Sequence, residues 1–77
     1  MKKIIIDENF KGLTKIGFYF KYEGSIIDWE ASIEIKVPLL ITGTLAGKYL
    51  YAGEWIEAGE SIEAGKWIEA GESIKAG

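Results

Sequence analysis

The 77-residue chain contains no cysteine, histidine, arginine or glutamine, and only one proline. Without cysteine it can form neither a disulfide nor a thiolate zinc site, so a domain of this size must gain stability from packing, repeat stacking or self-association. Without histidine, its serines lack an imidazole that would activate them as nucleophiles. The acidic residues do not have calcium-loop spacing, and no phosphate-binding glycine motif occurs. We therefore expect no enzyme activity, catalytic residue, metal site or cofactor.

The charge is acidic and unevenly distributed. Residues 1–45 hold six acidic residues and six lysines, whereas residues 46–77 hold six acidic residues and three lysines, so the net charge of −3 lies on the C-terminal part. Because the balance is acidic and arginine is absent, nucleic-acid binding is not expected.

The apolar run Ile4–Ile6 ends at Asp7, which is too early for a signal peptide, and no segment reaches the roughly 20 apolar residues of a membrane span. These features predict a cytoplasmic protein with no membrane contact.

From Ala46 onward the chain is a six-residue tandem repeat of the form Ala-Gly-x-x-(Ile/Leu)-x. The units read AGKYLY, AGEWIE, AGESIE, AGKWIE and AGESIK, followed by Ala76 and Gly77. On an α-helix a six-residue step would scatter the aliphatic residues over three faces, and each glycine would cost about 1 kcal/mol. The repeat therefore predicts short strands that meet at corners, where glycine supplies unusual backbone angles.

Two β arrangements are compatible with this repeat. In a β-solenoid each unit forms one side of a coil, the aliphatic residue points inward, and Trp55 and Trp67 point outward. In an antiparallel meander each Ala-Gly pair forms a turn, and both Trp rings pack in the core. The solenoid is preferred because alanine is a poor first residue for the hairpin turns that a meander needs.

The number of residues per coil is a separate question. Trp and Ser alternate before the aliphatic position with a period of twelve residues. A two-sided coil of twelve residues would create the pairs Trp55–Trp67, Glu57–Glu69, Glu54–Lys66 and Glu63–Lys75. A three-sided coil of eighteen residues would instead place Trp55 on Ser73 and Lys48 on Lys66. The twelve-residue coil would stack one Trp ring on the other and would place glutamates opposite lysines. It is therefore the better match to the sequence.

The repeat resembles that of a known family of coiled β proteins. An aliphatic residue at every sixth position, as in Ile56-Glu57-Ala58-Gly59, is similar to the hexapeptide-repeat β-helix proteins, many of which are acyltransferases. The resemblance covers residues 46–77 and implies a coiled architecture. It does not imply the family's activity, because those enzymes rely on a histidine. The chain also departs from the family where a small residue is expected, with Glu60, Lys66 and Glu72.

The N-terminal part predicts further strands in a single domain that covers residues 1–77. Alternation over residues 14–22 predicts one half-buried strand, with Ile16 and Phe18 on its buried face. Other strands are expected at residues 2–6, 25–29 and 32–37. The spacing of six also extends backwards through Ile27, Ile33, Leu39 and Leu45, so the coil could begin before the tandem repeat. The predicted fold is all-β, with antiparallel N-terminal strands in residues 1–45 that continue into a solenoid over residues 46–77. An antiparallel meander is the alternative.

The aromatic residues are the main candidates for function. Three Trp and four Tyr are more than a small core easily hides, and both residue types favour interfaces. We expect a non-enzymatic module that binds another protein through Tyr49, Tyr51, Trp55, Trp67, Glu54, Glu57, Glu63 and Glu69. Packing of the same rings in a meander core is the competing interpretation.

Two roles are compatible with such a module. Its size, acidity and lack of catalytic residues resemble the small anti-defence proteins of phages, anti-CRISPR proteins among them, which implies an inhibitor of a host protein. The alternative is a structural β-repeat protein that assembles with itself. The last repeat unit is as regular as the others, whereas repeat proteins normally end in a polar cap. We therefore expect a homodimer through the C-terminal repeats, with contacts at Ala70, Ser73, Ile74 and Ala76.

Overall fold

The regular structure is entirely β-strand, which confirms the predicted all-β class. The structure is a computed structural model and describes residues 2–77. Within residues 2–77 the strands are β1 (Lys2–Ile6), β2 (Leu13–Ile16), β3 (Tyr19–Tyr22), β4 (Ile26–Ile35), β5 (Leu39–Ile41), β6 (Leu45–Ala52), β7 (Ile56–Ala58), β8 (Ile62–Ala70) and β9 (Ile74–Ala76). No helix occurs in this part of the chain.

These strands form two sheets in which nearly all neighbours are parallel. The order is β1-β4-β6-β8 in one sheet and β2-β3-β5-β7-β9 in the other. Within the described residues, β2 and β3 are the one antiparallel pair. Parallel neighbours cannot be joined by a two-residue turn, so the chain must travel around a full coil before it returns beside itself. It winds through about three turns of a β-solenoid. The solenoid prediction is confirmed, and the antiparallel meander is wrong.

The N-terminal part is antiparallel only in its hairpin. Strand β1 lies parallel to β4, and β4 lies parallel to β6, so the coils begin well before the tandem repeat. Ile33, Leu39 and Leu45 are buried, as their spacing of six suggested. Ile27 departs from that series: it is exposed, and its neighbour Ile26 occupies the inward position.

Residues 14–22 form a hairpin and not the single predicted strand. Strands β2 and β3 pair on either side of a turn at Gly17 and Phe18, and Gly17 has a φ of 59°. Phe18 is therefore 80% exposed at the tip of the hairpin, and Ile16 is exposed as well. The alternation of apolar and polar residues runs on through the turn, which is why the sequence reads as one strand.

Each coil has three sides, and from β3 onward the residues that pair in successive coils are 17 to 19 positions apart. Successive coils pair Leu45 with Ile62, Leu50 with Ile68, and Ile56 with Ile74. In the middle coil, side 1 is residues 45–47, side 2 is residues 49–52 and side 3 is residues 56–58. The sheet register shifts between Gly47 and Tyr49, where β6 bends from side 1 into side 2. The predicted coil of twelve residues is therefore wrong.

The interior explains why three sides are needed. Every side contributes an Ile or Leu to one continuous core, which includes Ile6, Ile33, Ile35, Leu39, Ile41, Leu45, Leu50 and Ile56. Three sides leave a central space in which a branched aliphatic side chain from each side can be fully enclosed. Such burial contributes about 1.5–3 kcal/mol per side chain. Because the core draws on both the N-terminal strands and the repeat, the two parts stabilise each other.

At Gly59 and Gly71, glycine is required because the backbone of the preceding coil approaches closely, and not because of unusual backbone angles. Positive φ values occur at Gly12, Gly17 and Gly24, all before the repeat. At Gly59 an added Cβ would overlap the carbonyl oxygen of Thr42 in the preceding coil, and at Gly71 it would overlap that of Gly53. The expectation that glycine supplies strained angles at these corners is thus corrected. Glycine is needed where one coil's backbone lies directly against the next.

Alanine substitution at these corners separates the two explanations. Gly59→Ala should lower the free energy of unfolding by about 1–3 kcal/mol, because the new methyl group overpacks against Thr42 and disturbs the Gly59 amide, which donates to the Ile41 carbonyl at 2.8 Å. Gly53→Ala is the matched control, since its nearest neighbour would be a carbonyl oxygen at 3.9 Å. It should change stability by no more than about 0.5 kcal/mol. Urea denaturation followed by circular dichroism measures both, and equal losses would contradict the close-approach explanation.

Candidate functional site

The outer surface of side 2 carries three aromatic residues and a glutamate, which together we call the aromatic face: Tyr49, Tyr51, Trp67 and Glu69. Side chains alternate along a strand. Because Leu50 points into the core, its neighbours Tyr49 and Tyr51 point outward. Their rings are stacked, with centroids 6.4 Å apart and planes 12° apart.

The next coil extends the aromatic face by one strand. Trp67 lies beside Tyr49 in register, and Glu69 lies beside Tyr51. The Trp67 ring is 55% exposed, and its Nε1–H donates to Glu69 Oε1 at 3.2 Å. This hydrogen bond orients the indole and satisfies its only donor. The face therefore combines two stacked tyrosine rings, one indole that is held by a hydrogen bond, and one carboxylate.

The neighbouring coil on the other side is polar. Ser32 lies beside Tyr49 in register, and Glu34 lies beside Tyr51. Glu34 also pairs with Lys3 Nζ at 3.4 Å. The rings are thus bordered by carboxylates in both directions along the row of Tyr51, with Glu34 in one coil and Glu69 in the next.

Trp55, the fourth predicted aromatic residue, lies elsewhere. It precedes β7 on side 3, where it is half-buried and its ring centroid is 5.8 Å from that of Tyr19. In the next coil its position corresponds to Ser73, whose carbonyl accepts from the Ile56 amide at 3.0 Å. The expected stack of Trp55 on Trp67 is therefore wrong, because a coil of about eighteen residues places them on different sides.

The predicted acidic residues are distributed over all three sides. Glu69 belongs to the aromatic face. Glu57 lies on side 3 beside Lys75 and does not stack on Glu69. Glu63 lies on side 1 beside Ala46 and is not opposite Lys75. Glu54 sits in the turn before Trp55, where its carbonyl accepts from the Glu72 amide at 3.2 Å. The acids therefore do not form one ring around the aromatic residues.

The residues predicted for self-association lie together in the last coil. Ile74 and Ala76 belong to β9 and are exposed, Ser73 is exposed just before that strand, and Ala70 is partly buried at the end of β8. They occupy the C-terminal end of the solenoid, on the side 2 and side 3 edges.

Three aromatic residues outside the core were not among the residues predicted from the sequence: Phe18 and Trp29, which are exposed, and Tyr19, which is half-buried. Phe18 and Tyr19 form an edge-to-face pair at 5.6 Å on the hairpin, next to Trp55. Trp29 is 52% exposed at the bend of β4. The hairpin aromatics could have been found from Gly17, a turn residue, whereas the exposure of Trp29 depends on a bend that the sequence does not mark.

A shallow cleft of about 480 Å³ lies at the N-terminal end. It is lined by two carboxylates, two lysines and two rings, from Asp7, Glu8, Lys15, Lys36, Phe18 and Phe20. The opposite charges balance, so the cleft has no preference for an anion or a cation. It also contains no pairing of a nucleophile with a base.

The serine and threonine hydroxyls near the repeat hold a corner between side 3 and side 1. Ser25 Oγ accepts from the Thr44 amide at 2.8 Å, and Thr44 Oγ1 is 3.1 Å from Ser61 Oγ. Thr42 Oγ1 likewise accepts from the Gly24 amide at 2.8 Å. These hydroxyls link successive coils, which is a structural use.

The clearest electrostatic perturbation is at the N-terminal edge, away from the aromatic face. Lys2 Nζ lies 2.6 Å from Asp28 Oδ2. This hydrogen bond lowers the pKa of Asp28 and raises the pKa of Lys2.

Within residues 2–77, no group of three or more acidic, histidine or cysteine side chains is arranged to hold a metal ion. The same residues include no helix with the length and apolar character that crossing a membrane requires.

Comparison of the chain with protein families, with curated proteins and with solved structures finds no significant match. The resemblance to hexapeptide-repeat proteins is therefore one of architecture alone. The candidate site has to be interpreted from its own residues and geometry.

The two repeat Trp residues should differ in their effect on folding. Trp67→Ala should lower the free energy of unfolding by less than about 1 kcal/mol, because the ring is mostly exposed and lies outside the core. Trp55→Ala should cost about 0.5–1.5 kcal/mol more, because it also removes the contact with Tyr19. Chemical denaturation of both variants measures the difference. A loss of about 3 kcal/mol for Trp67→Ala would mean that this ring is part of the core.

Proposed function

We propose that the chain is a non-enzymatic protein-binding module that contacts its partner through the aromatic face. The observation that carries this proposal is the cluster itself: Tyr49, Tyr51 and Trp67 project from adjacent parallel strands, and their rings are free of the core. Tyr and Trp are the residue types that most often dominate the energy of protein–protein interfaces.

The rigidity of the scaffold supports this role. The three rings are attached to strands that are hydrogen-bonded to their neighbours, and Trp67 is further held by Glu69. Side chains that are already ordered lose less conformational entropy when a partner binds. The aromatic face therefore needs little rearrangement to form an interface.

The charges around the face indicate the chemistry of the partner. Glu34 and Glu69 border the rings, and the repeat carries the net negative charge. A complementary partner would present an apolar surface bordered by Lys or Arg. Such an interaction should form more slowly as ionic strength rises, because salt screens exposed charges.

Inhibition is the specific action we propose for this binding. A chain of 77 residues that covers a basic and apolar surface on a larger protein would block access to that surface. The resemblance in size and charge to phage anti-defence proteins makes a host protein the first target to test. Identification of that target therefore comes before any assay of inhibition.

Affinity capture with variants of matched chemistry tests the proposal. The wild-type chain and the Trp29→Ala control should retain one dominant host protein, because Trp29 is exposed to a similar extent but lies outside the aromatic face. Trp67→Ala should weaken retention about 30-fold or more, as expected when a dominant interface residue is truncated. Titration of the purified pair by calorimetry gives the affinities. Equal binding by Trp67→Ala and the wild type would contradict the proposed face.

A further inference from the structure

The outward row of side 2 that contains Tyr51 places this ring between two carboxylates. In the sheet register Glu34, Tyr51 and Glu69 lie side by side on β4, β6 and β8. Adjacent strands are about 4.8 Å apart, so the two glutamate backbones are about 9.6 Å apart with the ring between them. Tyr51 is 39% exposed, Glu34 is half-buried and Glu69 is exposed, so the row is open to a ligand. A group that rests on Tyr51 has a carboxylate on either side.

Neither carboxylate is fully used by contacts within the protein. The hydrogen bond from the Trp67 indole goes to Glu69 Oε1 and leaves the second carboxylate oxygen of Glu69 free to accept. Within residues 2–77 no lysine forms an ion pair with Glu69. Glu34 pairs with Lys3 at 3.4 Å, but both side chains are partly exposed, and such surface pairs contribute little. A group with several N–H donors would therefore find acceptors on both sides of the ring.

Lysines and glutamates are divided between the two ends of the aromatic face. Three lysines lie on the side of Tyr49, away from Tyr51: Lys3 in the row of Tyr49, and Lys48 and Lys66 at the corner with side 1. The corner beyond Tyr51 instead carries Glu54 and Glu72, with one lysine, Lys36, which lines the N-terminal cleft. A positively charged ligand is therefore repelled from the Tyr49 end and attracted to the Tyr51 end.

The aromatic rings add their own attraction for a cation. The face of a Tyr or Trp ring is electron-rich and attracts a cation that lies within about 6 Å of its centroid. Tyr51 presents such a ring, and the nearly parallel ring of Tyr49 and the indole of Trp67 lie beside it. The rings and the carboxylates of this row thus favour the same ligand charge.

The shape of the row distinguishes between the two side chains that carry a permanent positive charge. The guanidinium of arginine is planar, stacks on aromatic rings and directs five N–H donors outward in its plane. Donors on its opposite edges can serve Glu34 and Glu69 at once while its face rests on Tyr51. The ammonium of lysine is a compact and strongly hydrated charge, which is too small to bridge carboxylates from strands about 9.6 Å apart.

We propose that an arginine of the partner docks on Tyr51, with its guanidinium stacked on the ring and hydrogen-bonded to Glu34 and Glu69. We call these three residues the arginine seat. The inference rests on the proposed function, because it names the partner residue that occupies the aromatic face. In this arrangement the basic group of the partner lies on the rings, and not only around the apolar contact.

Titration of the full chain with three blocked amino acids tests the arginine seat. The probes are N-acetyl-arginine amide, N-acetyl-lysine amide and N-acetyl-citrulline amide, added at millimolar concentrations and constant ionic strength to the isotope-labelled chain. Saturable shifts of the amide resonances of Glu34, Tyr51 and Glu69 report binding. The arginine probe should bind at least about fivefold more tightly than the lysine probe, which lacks the planar group, and the citrulline probe, which lacks the charge.

Matched variants test which residues form the seat. Glu69→Gln removes the charge and keeps an oxygen that can accept from Trp67, and it should weaken the arginine probe about threefold. Glu57→Gln is the control, because it makes the same change in charge on side 3, and it should leave binding unchanged. Tyr51→Leu should abolish saturable binding, because it removes the ring. Circular dichroism establishes that each variant is folded.

Three results would overturn the inference: equal binding of the arginine and lysine probes, equal weakening by Glu69→Gln and Glu57→Gln, or no saturable shift with the arginine probe. These results are distinct from a failure of the proposed function. If a captured partner depends on Trp67 while the arginine probe does not bind, the inference is wrong and the protein-binding role stands. If the arginine probe binds as expected and no captured protein depends on Trp67, the proposed function is wrong and the seat's affinity for a guanidinium stands.

Discussion

The structure depends on one constraint, which is that each coil must close around a space that branched aliphatic side chains from three sides fill. No single coil can bury these side chains, because the space is open above and below until another coil covers it. Parallel pairing then follows, since every coil runs in the same direction around the same core. The close approach of Gly59 to the carbonyl of Thr42 is a further consequence, because the coil above cannot be stacked at sheet spacing with a side chain between the two backbones.

The same constraint decides which surface residues are neighbours. Residues that are 17 to 19 positions apart pair on adjacent strands from β3 onward, at a spacing of about 4.8 Å, whereas residues six positions apart lie on different sides. Tyr49 and Trp67 are therefore neighbours, and Trp55, which lies between them in sequence, belongs to another side. A surface for recognition is assembled from one position in successive coils. Because these positions face solvent, their side chains are not restricted by the core.

Much of the architecture could be predicted from the repeat, because a period of six with a glycine in each unit is incompatible with a helix and the turn chemistry disfavours a meander. The number of sides could not be predicted in the same way. Each unit supplies a similar inward residue, so the core positions do not distinguish two sides from three. The twelve-residue alternation of Trp and Ser occupies outward positions, which do not determine how the core packs. The hairpin was missed for a related reason: alternation continues through Gly17 and Phe18, so Gly17, which adopts a φ of 59° in the turn, is the one residue in the sequence that signals it.

Trp and Ser alternate from one repeat unit to the next, and each coil comprises three units. A given side therefore carries Trp in one coil and Ser in the next, and this explains where the aromatic face lies. The position before the aliphatic residue reads Tyr49, Trp55, Ser61, Trp67 and Ser73. On side 3 the alternation gives Trp55 and then Ser73, one aromatic and one small residue. Side 2 would likewise carry a small residue followed by Trp67, if Tyr49 did not stand where the alternation requires Ser. Tyr49 departs from the alternation of Trp and Ser, and this departure places two aromatic rings in one row.

Tyr51 adds a third ring in the neighbouring row of the same side. At the same position in their units, the following repeats have Glu57, Glu63 and Glu69. The first repeat unit therefore differs from the others at two outward positions, and both differences enlarge the same surface.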